Sequence, residues 1–332
     1  MIDRRILLYF YPTTWVFVDD EERFLTAMEL MLGGARPCAL LLNPLKAQKF
    51  LEERTGIANK IAPEIIRSNE EGVLVRFSPE VLVEDVAGFS KFEEVSVVVS
   101  DYAMPGMNGL ELFAKLKPSV YKNVLLTGVA DEKIAVEAFN DGSIDRFFSK
   151  DNLGTLETLL EHLYLLEHDR FSELQEPLLG LLPQDVREFI TDEEFRKIFF
   201  AELTRLDIAE YYLSIAPFGF YLLDSAGSPF FISLATTERL DRAFLSLSKH
   251  ISDSDFLLDM RHYKVQTEIF EPLDSSSASD YDFEFNTVRL SAVPGSRSRF
   301  WGLHTSPAID VDYDSEVSSL IRYLEAKQYP YE

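Results

Sequence analysis

Five side chains in the first half of this 332-residue chain stand at or just past the end of an apolar run. They are Asp19 and Asp20 after "TWVFV", Asp101 after "VSVVVS", Thr127 after "NVLL" and Lys150 after "DRFFS". Three carboxylates in one place supply the hard oxygen ligands that Mg2+ prefers and leave positions open for water and phosphate. An aspartate carboxylate is also a nucleophile that can become an aspartyl phosphate. A hydroxyl and an amine beside it would stabilise the charge of a transferred phosphoryl group.

That chemistry requires elements that bring the five together. The runs are unbroken rather than alternating, as in strands covered on both faces of a parallel sheet. Amphipathic helical stretches lie between them: "EERFLTAMELML", "GLELFAKLK" and "EKIAVEAFNDG". Alternating strand and helix patterns predict a doubly wound α/β domain, whose C-terminal strand ends share one ligand-binding edge. The stretch "VVVSDYAMPGMNG", Val97 to Gly109, is the sharpest case, a strand running into Asp101 and then into a turn around Pro105 and two glycines.

With these residues the chain resembles the receiver domain of two-component response regulators, of the CheY-like kind, over roughly residues 13–175. The resemblance makes Asp101 the phosphoacceptor and Asp20 a ligand of Mg2+, with Asp19 beside it, often through water. It gives the metal the backbone carbonyl of Ala103, makes Thr127 the switch hydroxyl and Lys150 the phosphoryl-binding amine, and places Phe147 at the aromatic switch position. It implies a histidine kinase or phosphotransfer protein as phosphate donor. The only catalysis expected is the domain's own phosphotransfer.

Three features depart from the family pattern. Asp20 and Asp101 stand 81 positions apart, nearly twice the usual interval. "ARPCALLLNPLKAQKFLEERTG" supplies a second strand and helix, which leaves about 57–94 as an insertion with a further strand and helix in "GVLVRFSPEVLVEDVAGF". Asp151 follows Lys150 where the family has proline. Phe147 has no phenol hydroxyl.

Other chemistries fit less well. A dehalogenase-type phosphatase needs a second acid two residues after its nucleophile, and that position is Ala103. "EHDRF", Glu167–Phe171, holds a His-Asp pair of the kind found in metal phosphohydrolases, but the remaining histidines lack that pattern and a solvated helix face is expected. No phosphate-binding P-loop, dinucleotide fingerprint or zinc spacing occurs. Cys38 lies in an apolar run and is expected in the core. A single cysteine and no membrane-length apolar segment fit a soluble protein of a reducing cytoplasm.

Beyond Lys150 the pattern changes. "LGTLETLLEHLYLLEHDRFSEL" reads as a long helix, with a break expected at Pro177 and Pro183. Helices are expected at about 184–200 and 201–214. Then come a hairpin in "FGFYLLDSAGSPFFIS", two helical stretches, and strands in "KVQTEIFEP", "DFEFNTVRLSAV" and "RFWGLHTSPA", with the polar loop "LDSSSASDYD" between the first two. The expected organisation is a receiver over 1–152, an extended helix and linker over 153–183, and an α+β output domain over 184–332. Its core, about 215–312, is similar to a PAS-type fold. Its aromatic residues fill a core or line a pocket.

Residues 151–332 carry 33 Asp and Glu against 15 Lys and Arg, a net of −18. Phosphate contacts need clustered cations, so direct nucleic-acid binding is not expected. In layout, an enlarged receiver with a non-DNA-binding output is similar to the response regulators of Legionella-type quorum-sensing systems. The expected output is contact with a downstream protein or small ligand, or a phosphorylation-dependent homodimer. Two alternatives stay open: an unphosphorylated pseudo-receiver serving as an interaction module, and an enzymatic output domain of unrecognised type.

Overall fold

A computed structural model of the chain describes residues 5–32, 34–54, 64–68, 72–76, 90–116, 121–128, 132–150, 156–215, 217–249, 254–262, 265–267, 287–305, 307 and 319–327. It separates into two compact units, one of Tyr11–Ala62, Val81–Leu174 and Tyr313–Glu332, the other of Met1–Phe10, Pro63–Glu80 and Gln175–Asp312.

In the first unit, β2 (Thr14–Val18), β3 (Cys38–Leu41), β6 (Val95–Asp101), β7 (Lys122–Thr127) and β8 (Arg146–Ser149) form a parallel sheet in the order β3-β2-β6-β7-β8. Each strand alternates between two cores. Val16, Val18, Val98 and Leu125 face one way, onto α2 (Pro44–Arg54), α4 (Gly109–Lys115) and α5 (Glu132–Asn140). Trp15, Phe17, Val97, Val99, Val124 and Leu126 face the other, onto α1 (Glu22–Leu32) and α6 (Leu156–Leu179). Burial on both faces is why these strands read as continuous apolar runs. Leu159, Leu163 and Leu166 of α6 are buried there, with Leu160 partly so. Cys38 is half-buried beside the same core, and burial pushes its thiol up to about 11.

The second unit carries an antiparallel sheet in the order β1-β9-β10-β11-β15-β14, built from β1 (Tyr9–Phe10), β9 (Ile208–Ile215), β10 (Phe218–Asp224), β11 (Pro229–Thr236), β14 (Ser291–Ala292) and β15 (Arg299–His304). The expected hairpin is β10–β11, with Gly227 at φ +83° in its turn. The aromatic residues pack ring on ring: Phe199 of α8 (Glu193–Arg205) lies 4.8 Å from Phe220 and 5.1 Å from Tyr211. Phe189 of α7 (Gln184–Thr191) stands edge-on to Phe218 at 5.6 Å. Helices α9 (Thr237–Leu247) and α10 (Ser254–Arg261) and the paired strands β12 (Val265–Thr267) and β13 (Thr287–Arg289) complete its described part. The loop "LDSSSASDYD" lies outside the described residues.

Several elements differ from the sequence reading. The stretch 208–215, expected as helix, is strand β9. Asp207, at φ +53°, turns the chain just after α8, and the aromatic and β-branched side chains that follow pair on both sides. Helix α6 continues through Pro177 to Leu179. A proline so near the end removes one backbone bond from the last turn only, and Gly180 follows the helix. Within the expected insertion, β4 (Glu64–Ser68) and β5 (Gly72–Arg76) form a hairpin, and α3 (Ser90–Glu93) leads into β6. The helix expected between β5 and α3 lies outside the described residues. The last helix, α11 (Leu320–Ala326), belongs to the unit of the parallel sheet. Its buried Tyr323 meets Phe92 at 5.2 Å, and Lys327 pairs with Glu93.

Candidate active site

Strand register decides what meets at the sheet edge. Val18 pairs with Leu41 and Ser100, Asp101 with Leu126, and Thr127 with Ser149. The residues at the ends of β2, β6, β7 and β8 are therefore neighbours. Asp19, Asp20 and Asp101 each offer an oxygen within 4.8 Å of the others. Asp19 and Asp101 are buried while Asp20 is exposed. Lys150 Nζ reaches both buried carboxylates, Asp19 Oδ2 at 2.8 Å and Asp101 Oδ1 at 3.0 Å. Its ammonium also lies 5.6 Å from the centre of the Phe24 ring.

The electrostatics follow from this packing. Burial raises the Asp19 carboxyl above its ordinary range, and hydrogen bonds from Lys150 and the Glu21 amide only partly offset that. Burial disfavours the Lys150 ammonium, but the bond to Asp19 and the Asp101 charge outweigh it, so the amine stays above its ordinary value. The three carboxylates suit Mg2+ in donor type and spacing. Asp19, Asp20 and Asp101 would hold it, and Ala103, exposed two residues after Asp101, is the candidate for the carbonyl ligand.

The loop after Asp101 is fixed at both ends. The Tyr102 amide donates to Leu126 O at 2.8 Å and the Gly109 amide to Tyr102 O at 3.1 Å. A Cβ on Gly109 would stand 2.5 Å from Asp101 O, so only glycine lets α4 start against the strand end. Gly106, at φ +84°, makes the turn, and Asn108 and Glu111 form a capping box. The constrained turn after Asp101 thus holds the strand's final carboxylate against the sheet mouth.

Thr127 is fully buried, and its hydroxyl donates to Gly128 O at 3.0 Å. Phe147 is half-buried, edge-on to Phe139 at 6.3 Å. Val129, two after Thr127, lies outside the described residues.

The sequence reading missed a second set of buried charges, at the opposite strand ends. Glu167 and Arg170, expected on a solvated helix face, are both buried. Glu167 Oε1 accepts from Arg36 at 2.7 Å and from the Thr13 and Ser96 hydroxyls. Arg36 lies over Trp15, its Cζ 3.4 Å from the ring centre. Arg170 pairs with Glu94, which also accepts from the Tyr11 hydroxyl. One turn further, Glu173 takes Lys122 at 2.7 Å.

Arg36, Thr13, Glu94 and Lys122 stand at the starts of β3, β2, β6 and β7, in the order of the sheet. Residues 167 to 173 rise about 9 Å along a helix, close to two strand spacings of about 4.8 Å. Helix α6 is thus tied across successive strand starts. The signal lay in the i, i+3, i+6 alternation of Glu167, Arg170 and Glu173.

The sequence matches no family model and no curated protein. Among solved structures, the Legionella pneumophila response regulator LqsR aligns over 96% of this chain and 95% of its own, with a TM-score of 0.75 and 22% identity. The chain has a response-regulator fold. Its parallel sheet with flanking helices has the fold of a CheY-like receiver, and its antiparallel sheet belongs to the α+β second unit. The signal receiver domain of an HD domain-containing protein from Pseudomonas fluorescens Pf-5 covers 48% of this chain and 98% of its own at 23% identity, with a TM-score of 0.33. No helix among the described residues is long and apolar enough to cross a membrane.

Proposed function

We propose that this response-regulator fold works as a phosphate-accepting switch, with Asp101 as the acceptor. The observation that carries the reading is the convergence of three aspartates and Lys150 on one strand-end edge, with Thr127 ending the neighbouring strand. The donor is a phosphohistidine on a histidine kinase or phosphotransfer protein. A carboxylate oxygen of Asp101 attacks phosphorus, the P–N bond breaks, and the departing imidazole keeps the electron pair and takes a proton. Mg2+, when bound by Asp19, Asp20 and Asp101, supplies Lewis-acid charge to the phosphoryl oxygens. Lys150 turns its ammonium to the phosphoryl group, and Thr127 swings its hydroxyl to the same oxygens. The space Thr127 leaves biases the half-buried Phe147 inward.

The output of the switch is a change in dimerisation or in contact between the second unit and a downstream protein or small ligand. The −18 net charge of residues 151–332 supports such a target over nucleic acid. The metal assignment is tested by titrating Mg2+ into wild type and Asp20→Asn by calorimetry. Asp20 is exposed, so the variant keeps its fold and should lose at least about tenfold in affinity. An unchanged isotherm removes Asp20 from the metal site.

A further inference from the structure

Helix α1 starts at Glu22, directly after the paired aspartates, and its first turn is tied to one of them. The Glu21 amide donates to Asp19 Oδ1 at 2.9 Å, and the Glu21 carbonyl accepts from the Phe24 amide at 3.0 Å. Two hydrogen bonds in series therefore fix Phe24 relative to the Asp19 carboxylate. The Phe24 side chain is partly buried and packs against the core that holds Trp15, Phe17 and Leu25.

The centre of the Phe24 ring lies 5.6 Å from Lys150 Nζ, within the roughly 6 Å over which an aromatic ring attracts an ammonium. Among the described residues, the other partners of that ammonium are Asp19 and Asp101, at 2.8 and 3.0 Å. The ring differs from them in what it asks of the ammonium. A carboxylate holds an N–H in a directed, charge-assisted bond that must be given up when phosphoryl oxygens arrive. A ring attracts the charge without taking such a bond, so the three N–H groups of the lysine stay able to turn. A lysine stem is also long and flexible, and a surface that confines its head leaves less ordering for the phosphotransfer step.

We propose that Phe24 is a positioning residue for phosphotransfer: its ring keeps the Lys150 ammonium beside Asp101 and leaves its N–H groups free to turn onto the phosphoryl oxygens. Phe24 makes and breaks no bond. Its role acts through Lys150 and rests on Asp101 as the phosphoacceptor.

The test times phosphoryl gain by intact mass on the full-length protein with acetyl phosphate and Mg2+. It compares wild type, Phe24→Leu, and proteins carrying 4-fluoro-, 3,5-difluoro- or pentafluorophenylalanine at position 24. Fluorine drains negative potential from the ring face with little change in size, so packing alone gives no trend across the series. The rate should fall stepwise with fluorination, and Phe24→Leu should lose about threefold, the low end for a cation–π contact. A second readout needs no phosphate. In the metal-free protein the Lys150 ε-methylene protons should resonate upfield of those in Phe24→Leu, because the ring current is lost in the variant. A wild type that gains no phosphoryl group overturns the acceptor reading and this role together. One rate across wild type and the fluorinated proteins, or ε-methylene protons unmoved by Phe24→Leu, overturns the role of Phe24 alone.

Discussion

A phosphoryl group on Asp101 should persist, and combining Ala103→Asn with Val129→Glu should shorten its life by about 10²-fold. Hydrolysis requires a water placed in line behind phosphorus, and positioning is a large share of a phosphoryl-transfer barrier. The two residues that flank the group in the receiver pattern are Ala103 and Val129, and neither side chain can hydrogen-bond a water. Ala103 is exposed beside the site, so an asparagine there fits without moving the core. The decay is timed by intact mass after the phosphodonor is removed. A wild-type phosphate lost within seconds, or a double variant no faster than wild type, contradicts this.

Arg36→Met should destabilise the unit of the parallel sheet by about 3–5 kcal/mol, the usual loss when one partner of a buried ion pair is removed. Glu167 is fully buried and would be left without its cation, while its Oε2 has no hydrogen-bond partner among the described residues to share the charge. Adding Glu167→Gln keeps an acceptor for Thr13 and Ser96 and removes the stranded charge, so the double variant should recover most of the loss. Urea unfolding followed by Trp15 emission reads this directly, because Trp15 lies under Arg36. The chain has two tryptophans, so Trp301→Phe is the background. A single variant within about 1 kcal/mol of its background, or a double variant no better than the single, would show that α6 is not held by this pair.

The receiver-like fold was legible because its strands are buried on both faces and end abruptly in polar residues. Register then did the rest: once "TWVFV", "VSVVVSD", "NVLLT" and "RFFS" are parallel, Asp19, Asp20, Asp101, Thr127 and Lys150 have to share an edge. The buried charges were not legible, since an acid or base on a helix is normally solvated and its partner here is remote. Glu167 finds Arg36 across 131 positions, and Arg170 finds Glu94 across 76. Strand β9 was misread because "ELTRLDIAEYYL" continues a helical pattern, and the break depends on one left-handed residue, Asp207. The docking of Tyr323 on Phe92 depends on long-range packing that no local periodicity encodes.

The most direct measurement is intact mass after incubation with acetyl phosphate and Mg2+, for wild type and Asp101→Asn. The expected result is a single phosphoryl increment on the wild type that needs Mg2+ and is absent from the variant. A wild type that never gains mass, or an Asp101→Asn protein that gains it equally, would contradict Asp101 as the phosphoacceptor.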